Sequence, residues 1–167
     1  MIHTISEFEA IWSPELEATQ KIFKHLNNRA LSQQVHPEGR TLARTAWHIV
    51  TTISEMMSKT GLKIEGPAHD APVPATAKEI FNAYNMVAIS VLEQIKTTWK
   101  DETLNVEDEM YGEKWKRTNT LQALIFHQIH HRAQMTVLMR QAGLDVPGIY
   151  GPARQEWVQM GMQPPEV

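Results

Sequence analysis

The chain has 167 residues, 42% hydrophobic and 21% charged, with no cysteine and a formal charge of −3 at pH 7. These values suit a single globular domain over residues 1–167 that buries roughly 70% of its unfolded surface. They exclude a disulfide framework, cysteine-ligated zinc and a thiol nucleophile, and they leave no basic footprint for nucleic acid or an anionic membrane.

No apolar run reaches the length of about 18 residues that a membrane span needs. The opening MIHTISEFEAIW carries acids where a secretory leader has basic and then apolar residues, so a cytoplasmic location is expected. The first helical stretch runs from about Ile5 to Asn28, with Ser6 and Glu9 spaced as a capping box. Pro14 lacks an amide donor and crowds the carbonyl of Ala10, which predicts a kink there, or a split after Ser13. The second stretch runs from about Thr41 to Lys59 and stops at Gly61. Its apolar face is Leu42, Ala46, Ile49, Val50, Ile53, Met56 and Met57. The third runs from about Ala77 to Lys100, opened by a Thr76–Glu79 capping box. Asp101 to Thr118 reads as a polar excursion carrying Tyr111 and Trp115. The fourth runs from about Thr120 to Ala142, between Asn119 and Gly143. A tail with Pro147, Gly148, Gly151 and Pro152 follows, holding a short helix from about Ala153 to Met160.

Four amphipathic helices of this length predict an all-α four-helix bundle with a C-terminal tail. Its connections are long for a simple up-down bundle, so at least one is expected to cross over or to cover the bundle mouth.

The chemistry concentrates in His127-Gln128-Ile129-His130-His131. Residues four apart project from neighbouring turns with Cβ atoms about 5–6 Å apart, a separation from which two imidazoles reach one ion. At about 100° per residue, His127 and His131 lie about 40° apart, both towards the stripe of Leu124, Met135 and Leu138. A polar ring there needs a partner, either a hydrogen-bonding group or a metal. His130 falls to the edge, beside Phe126 and Val137. Gln128 stands where a zinc-protease motif needs Glu, which argues against peptide hydrolysis by that route. A third ligand is open among His25 and His48 on helices, His36 and His69 in loops, and terminal His3. His48 points away from the apolar face of its helix, towards Thr41, Thr45, Thr52 and Glu55. That strip faces either solvent or a wet cavity inside the bundle.

Trp47-His48 within TLARTAWHIV, followed about 80 residues later by HQIHHRAQ and then by Gly143-Leu144-Asp145-Val146-Pro147, resembles the DinB/YfiT-like superfamily over nearly the whole chain. Ala133 stands where many relatives have glycine. The resemblance implies a four-helix bundle holding a divalent metal (zinc, nickel, iron or manganese) on His48, His127 and His131. It also implies an enzyme acting on a small molecule, with a low-molecular-weight thiol as cosubstrate because this chain supplies no cysteine. Metal-dependent hydrolysis and a non-catalytic stress-response binding module are the alternatives, with a purely structural bundle as a third.

Three neutral imidazoles leave the ion its full charge and open positions for water, thiol or substrate. Glu55, two turns after His48, is a candidate base or orienting group, and His130 a candidate proton shuttle; both also suit solvated surface roles. Gln134 offers a hydrogen bond to the site. Trp47, Tyr150 and Trp157 either wall a pocket mouth or pack under the tail. Arg132 and Arg140 flank the histidines without forming a phosphate site. An exposed bundle face is compatible with a homodimer.

Overall fold

The computed structural model describes residues 2–166. Four long helices, α1 (Ile5–Lys24), α2 (Leu42–Ser58), α3 (Ala77–Thr98) and α4 (Arg117–Gln141), are followed by a short α5 (Arg154–Gln159). A 3-10 turn, Asn28–Ser32, follows α1. Between α3 and α4 stand a second 3-10 turn, Asp101–Asn105, and two strands, β1 (Glu107–Met110) and β2 (Glu113–Lys116). No described helix is long and apolar enough to cross a membrane.

Both α1 and α2 pack against α3 and α4. The consecutive pairs α1/α2 and α3/α4 therefore sit at opposite corners of the bundle. Their connections must cross its ends, which explains their length. One buried cluster fills the centre, with Phe8 and Trp12 from α1, Ile49 and Ile53 from α2, Tyr84 from α3 and Leu124 from α4. Its aromatic rings stack in pairs, Phe8 on Trp12 and Phe23 on Tyr84. The Trp12 indole donates to the Ala88 carbonyl at 3.1 Å, so its one polar atom is satisfied inside the core.

The ends of the helices follow local chemistry, with two shifts from expectation. α1 starts at Ile5 as expected, but its cap lies two residues earlier: Thr4, in extended backbone, accepts from the Glu7 amide, and Glu7 closes the capping box in place of Ser6 and Glu9. α4 starts at Arg117 rather than near Thr120, because β2 runs straight into it and no side chain caps it. Its far end matches the glycine signal. Gly143 takes φ +77°, its amide bonds Arg140 O, and the Leu144 amide bonds Met139 O, a Schellman closure. Pro14 lies inside an unbroken α1. It sits on the solvent side, and the carbonyl it leaves unpaired belongs to exposed Ala10, where water can serve it.

The polar excursion between α3 and α4 is a β-hairpin, which the sequence reading did not contain. Strands β1 and β2 are antiparallel, with Met110 opposite Glu113. The two-residue turn between them, Tyr111-Gly112, has φ +53° and +86°, the pattern of a type I′ turn. Glycine adopts this freely; tyrosine does so only under strain. Arg117 anchors the hairpin by a bidentate pair to Asp108 (2.7 and 3.1 Å) and donates to the Thr60 carbonyl just beyond α2.

The tail folds back on α1. Lys21 donates to Gly148 O, and the Glu156 carboxylate accepts from the Gly148 and Ala153 amides. Tyr150 donates its hydroxyl to Glu15 at 2.7 Å.

Candidate metal centre

α2 carries His48 on the side turned to α4, and α4 carries His127 and His131 one turn apart. The ring centroids lie 4.9 Å (48–127), 4.6 Å (48–131) and 4.4 Å (127–131) from one another. One ligand nitrogen from each falls within 4.8 Å of the others, and the Nε2 atoms of His48 and His127 are 3.1 Å apart. Two nitrogens bound at about 2.0–2.1 Å to a tetrahedral ion would stand about 3.4 Å from each other, so the His48–His127 pair is spaced for one cation and His131 stands close enough to join it.

Two of the outward nitrogens, those of His131 and His48, are held as a metal site requires. His131 Nδ1 meets Gln134 Oε1 at 2.7 Å, so Nδ1–H donates and Nε2 keeps its lone pair. His48 Nδ1 lies 3.3 Å from the Thr52 hydroxyl. Both supports are neutral, and they leave the charge of a bound cation undiminished.

The rings are also neutral at pH 7. Burial first, then the charge of Arg40 and the neighbouring imidazoles, lowers His48 to about 4. Burial and the adjacent His131 and His130 lower His127 to about 4. Burial lowers His131 as well, against the opposing hydrogen bond to Gln134. Metal ligation needs unprotonated imidazole, so the three residues fit a divalent ion.

These shifts set a pH dependence. The unfolded chain takes up protons near pH 6.5, the folded chain only near 4, so metal-free stability is full above pH 6.5 and falls as pH drops towards 4. The urea midpoint of stripped protein should follow that course, more shallowly in His48→Gln. A flat midpoint across the window would contradict it.

Two cavities flank the cluster. One, about 350 Å³, is lined by His48 and His127 together with Glu55, Tyr111 and Trp115. The other, about 420 Å³, is lined by His131 with Arg40 and Gln134. Glu55 is half-buried on the wall of the first, where burial and this carboxylate push the Tyr111 phenol up to about 12. His130 is exposed and outside the cluster, accepting from Gln134 Nε2 at 3.0 Å.

The other histidines stay apart. His25 ends α1 with Nδ1 on Lys21 O, His3 is exposed at the N-terminus, His36 lines the Arg40 cavity, and His69 lines a third cavity beside α2. Trp47 is buried, but beneath the loop after α2 rather than the tail, donating to Ala71 O at 2.8 Å. Half-buried Trp157 lies in α5.

Sequence reasoning missed Tyr111 and Trp115 as walls, Arg40 as a neighbour, and the burial of Arg132. The Tyr-Gly pair before Glu113 was the one available signal for the hairpin.

The DinB family model matches residues 1–165. The uncharacterized protein YrdA of Bacillus subtilis (strain 168) is 42% identical over 167 residues, covering 100% of both chains. A crystal structure of a DinB-like protein from Bacillus cereus ATCC 10987 superposes with a TM-score of 0.86 at 46% identity, covering 90% of this chain and 100% of that one. The DinB-like protein YjoA of Bacillus subtilis shares the fold, with a TM-score of 0.60 at 21% identity, covering 89% and 96%.

Proposed function

The chain belongs to the DinB family, and on that footing we propose that it binds a divalent metal and uses it to transfer the sulfur of a low-molecular-weight thiol to a small electrophile. The observation that carries this reading is the convergence of three neutral imidazoles between two open cavities. A bound divalent cation (zinc, nickel, iron or manganese) would supply Lewis acidity that makes a thiol more acidic.

His48, His127 and His131 would hold it without adding charge, while Thr52 and Gln134 fix the rings of His48 and His131. The chain has no cysteine, so the sulfur belongs to a cosubstrate. In the net reaction the new S–C bond forms as the bond from that carbon to the leaving group breaks. The leaving group takes the bonding pair, and Glu55, on the wall shared with His48 and His127, accepts the thiol proton. Tyr111 and Trp115 supply an apolar, aromatic wall for the electrophile.

The same carboxylate favours a second reading, hydrolysis, with Glu55 taking a proton from water instead.

Metal-loaded protein given 2-mercaptoethanol and a chloronitrobenzene acceptor should form the thioether, and stripped protein should not. Ester cleavage that needs the metal but no thiol would replace the transferase reading by the hydrolase. Metal retention with neither activity would leave a binding module.

A further inference from the structure

The Arg40 cavity opens onto the centre at His131 and adds no ligand beyond it, and its lining is specific in chemistry. Arg40 is exposed, and among the described residues it makes no ion pair or hydrogen bond. It is held near the cluster by its loop: the Gly39 amide bonds His36 O at 2.7 Å, and the Leu42 amide, two residues on, bonds Gln33 O at 2.7 Å. The field of its guanidinium reaches all three imidazoles. Val35 and Val137, 69% and 51% exposed, line the same cavity and offer an apolar rim. His131 and Gln134 form its inner wall.

We propose that this cavity selects an anionic thiol: a short chain whose carboxylate or phosphate pairs with Arg40, whose alkyl stem lies along Val35 and Val137, and whose sulfur reaches the three-histidine centre. The inference rests on the thiol reading above and names the class of cosubstrate. An unpaired guanidinium beside a neutral-ligand cation site attracts anions, and its planar fork suits a carboxylate or a phosphate equally. The opposite cavity has Glu55 on its wall and no arginine or lysine in its lining, so it would repel the same group.

Calorimetric titration of metal-loaded protein with 3-mercaptopropionate and with 2-mercaptoethanol, thiols that differ in one carboxylate, tests the proposal. The carboxylate thiol should bind about tenfold or more tightly. Arg40→Met should bring the two affinities together, and Arg40→Lys should keep part of the difference. Metal content and helical circular dichroism should stay unchanged in both variants. Propionate and ethyl phosphate, which keep an anion and lack the sulfur, should bind more weakly than 3-mercaptopropionate; binding as tight as the thiol's would show an anion site alone and overturn the proposal. Equal binding of the two thiols, or a preference that survives Arg40→Met, would overturn the proposal. Failure of both thiols to bind a metal-loaded chain would instead remove the thiol reading on which it rests.

Discussion

A protein carrying His127→Ala and His131→Ala together no longer retains a divalent ion, and its thermal stability no longer responds to added metal. Two of the three imidazoles that meet in the cluster are then gone, and the remaining ring of His48 cannot hold an ion by itself. Loss of a partner outside the coordination sphere already costs about 10–100-fold in affinity, so loss of two ligands costs at least about 100-fold. In the wild type, metal at about 100 times its Kd should stabilise the native state by about 2.7 kcal/mol, which is about 5–10 °C in Tm for a chain of this size. The double variant should show none of that gain while keeping its helical circular dichroism. A variant that still binds one ion per chain and still gains stability would place the ligands elsewhere.

Arg132→Met unfolds more easily by about 3–5 kcal/mol, the cost of leaving a buried carboxylate without its partner. The Arg132 side chain is 3% exposed and that of Glu15 11%, with Nη2 2.6 Å from Oε2. The guanidinium also donates to the Glu15 carbonyl, the Thr19 hydroxyl and the Tyr150 hydroxyl, so one residue ties α4 to α1 and both to the tail. Such a loss is a large share of a total stability of about 5–15 kcal/mol and lowers Tm by about 6–20 °C. Removing both charges in Glu15→Leu, Arg132→Met should recover much of it, because no lone charge is left inside. A single variant within about 1 kcal/mol of wild type would show that the pair carries little.

Arg132 illustrates where the sequence stops being legible. In α4 it reads as a charge beside the histidines, because its partner Glu15 lies 117 residues away on another helix. Its neighbour His131 was readable because i, i+4 spacing on a helix is local geometry. His48 falls between these cases. Its helix is packed on both α3 and α4, so even the strip of Thr45 and Thr52 is buried, at 3% and 5% exposure. A helix covered on so many sides has no clean polar face, and the phase of His48 alone could not separate solvent from an internal cavity; the family resemblance did.

The long helices and the glycine stop at Gly143 were legible for the same local reason as His131. The hairpin was hidden. Its strands are four residues each, crowded with Glu, Asp and Lys, and they lack the alternation that marks a half-buried strand. A Tyr-Gly turn is also far from the usual Asn-Gly signal. Arg40, on a loop, had no periodicity to be read from.

The claim on which the functional account stands is that three imidazoles share one divalent ion. X-ray absorption at the edge of the bound metal, in protein reconstituted with one ion per chain, reads that shell directly. The account predicts nitrogen scatterers at about 2.0–2.1 Å with the outer-shell signature of three imidazole rings, and no retained ion to measure in the double variant. A shell of oxygen donors without imidazole scattering would contradict it.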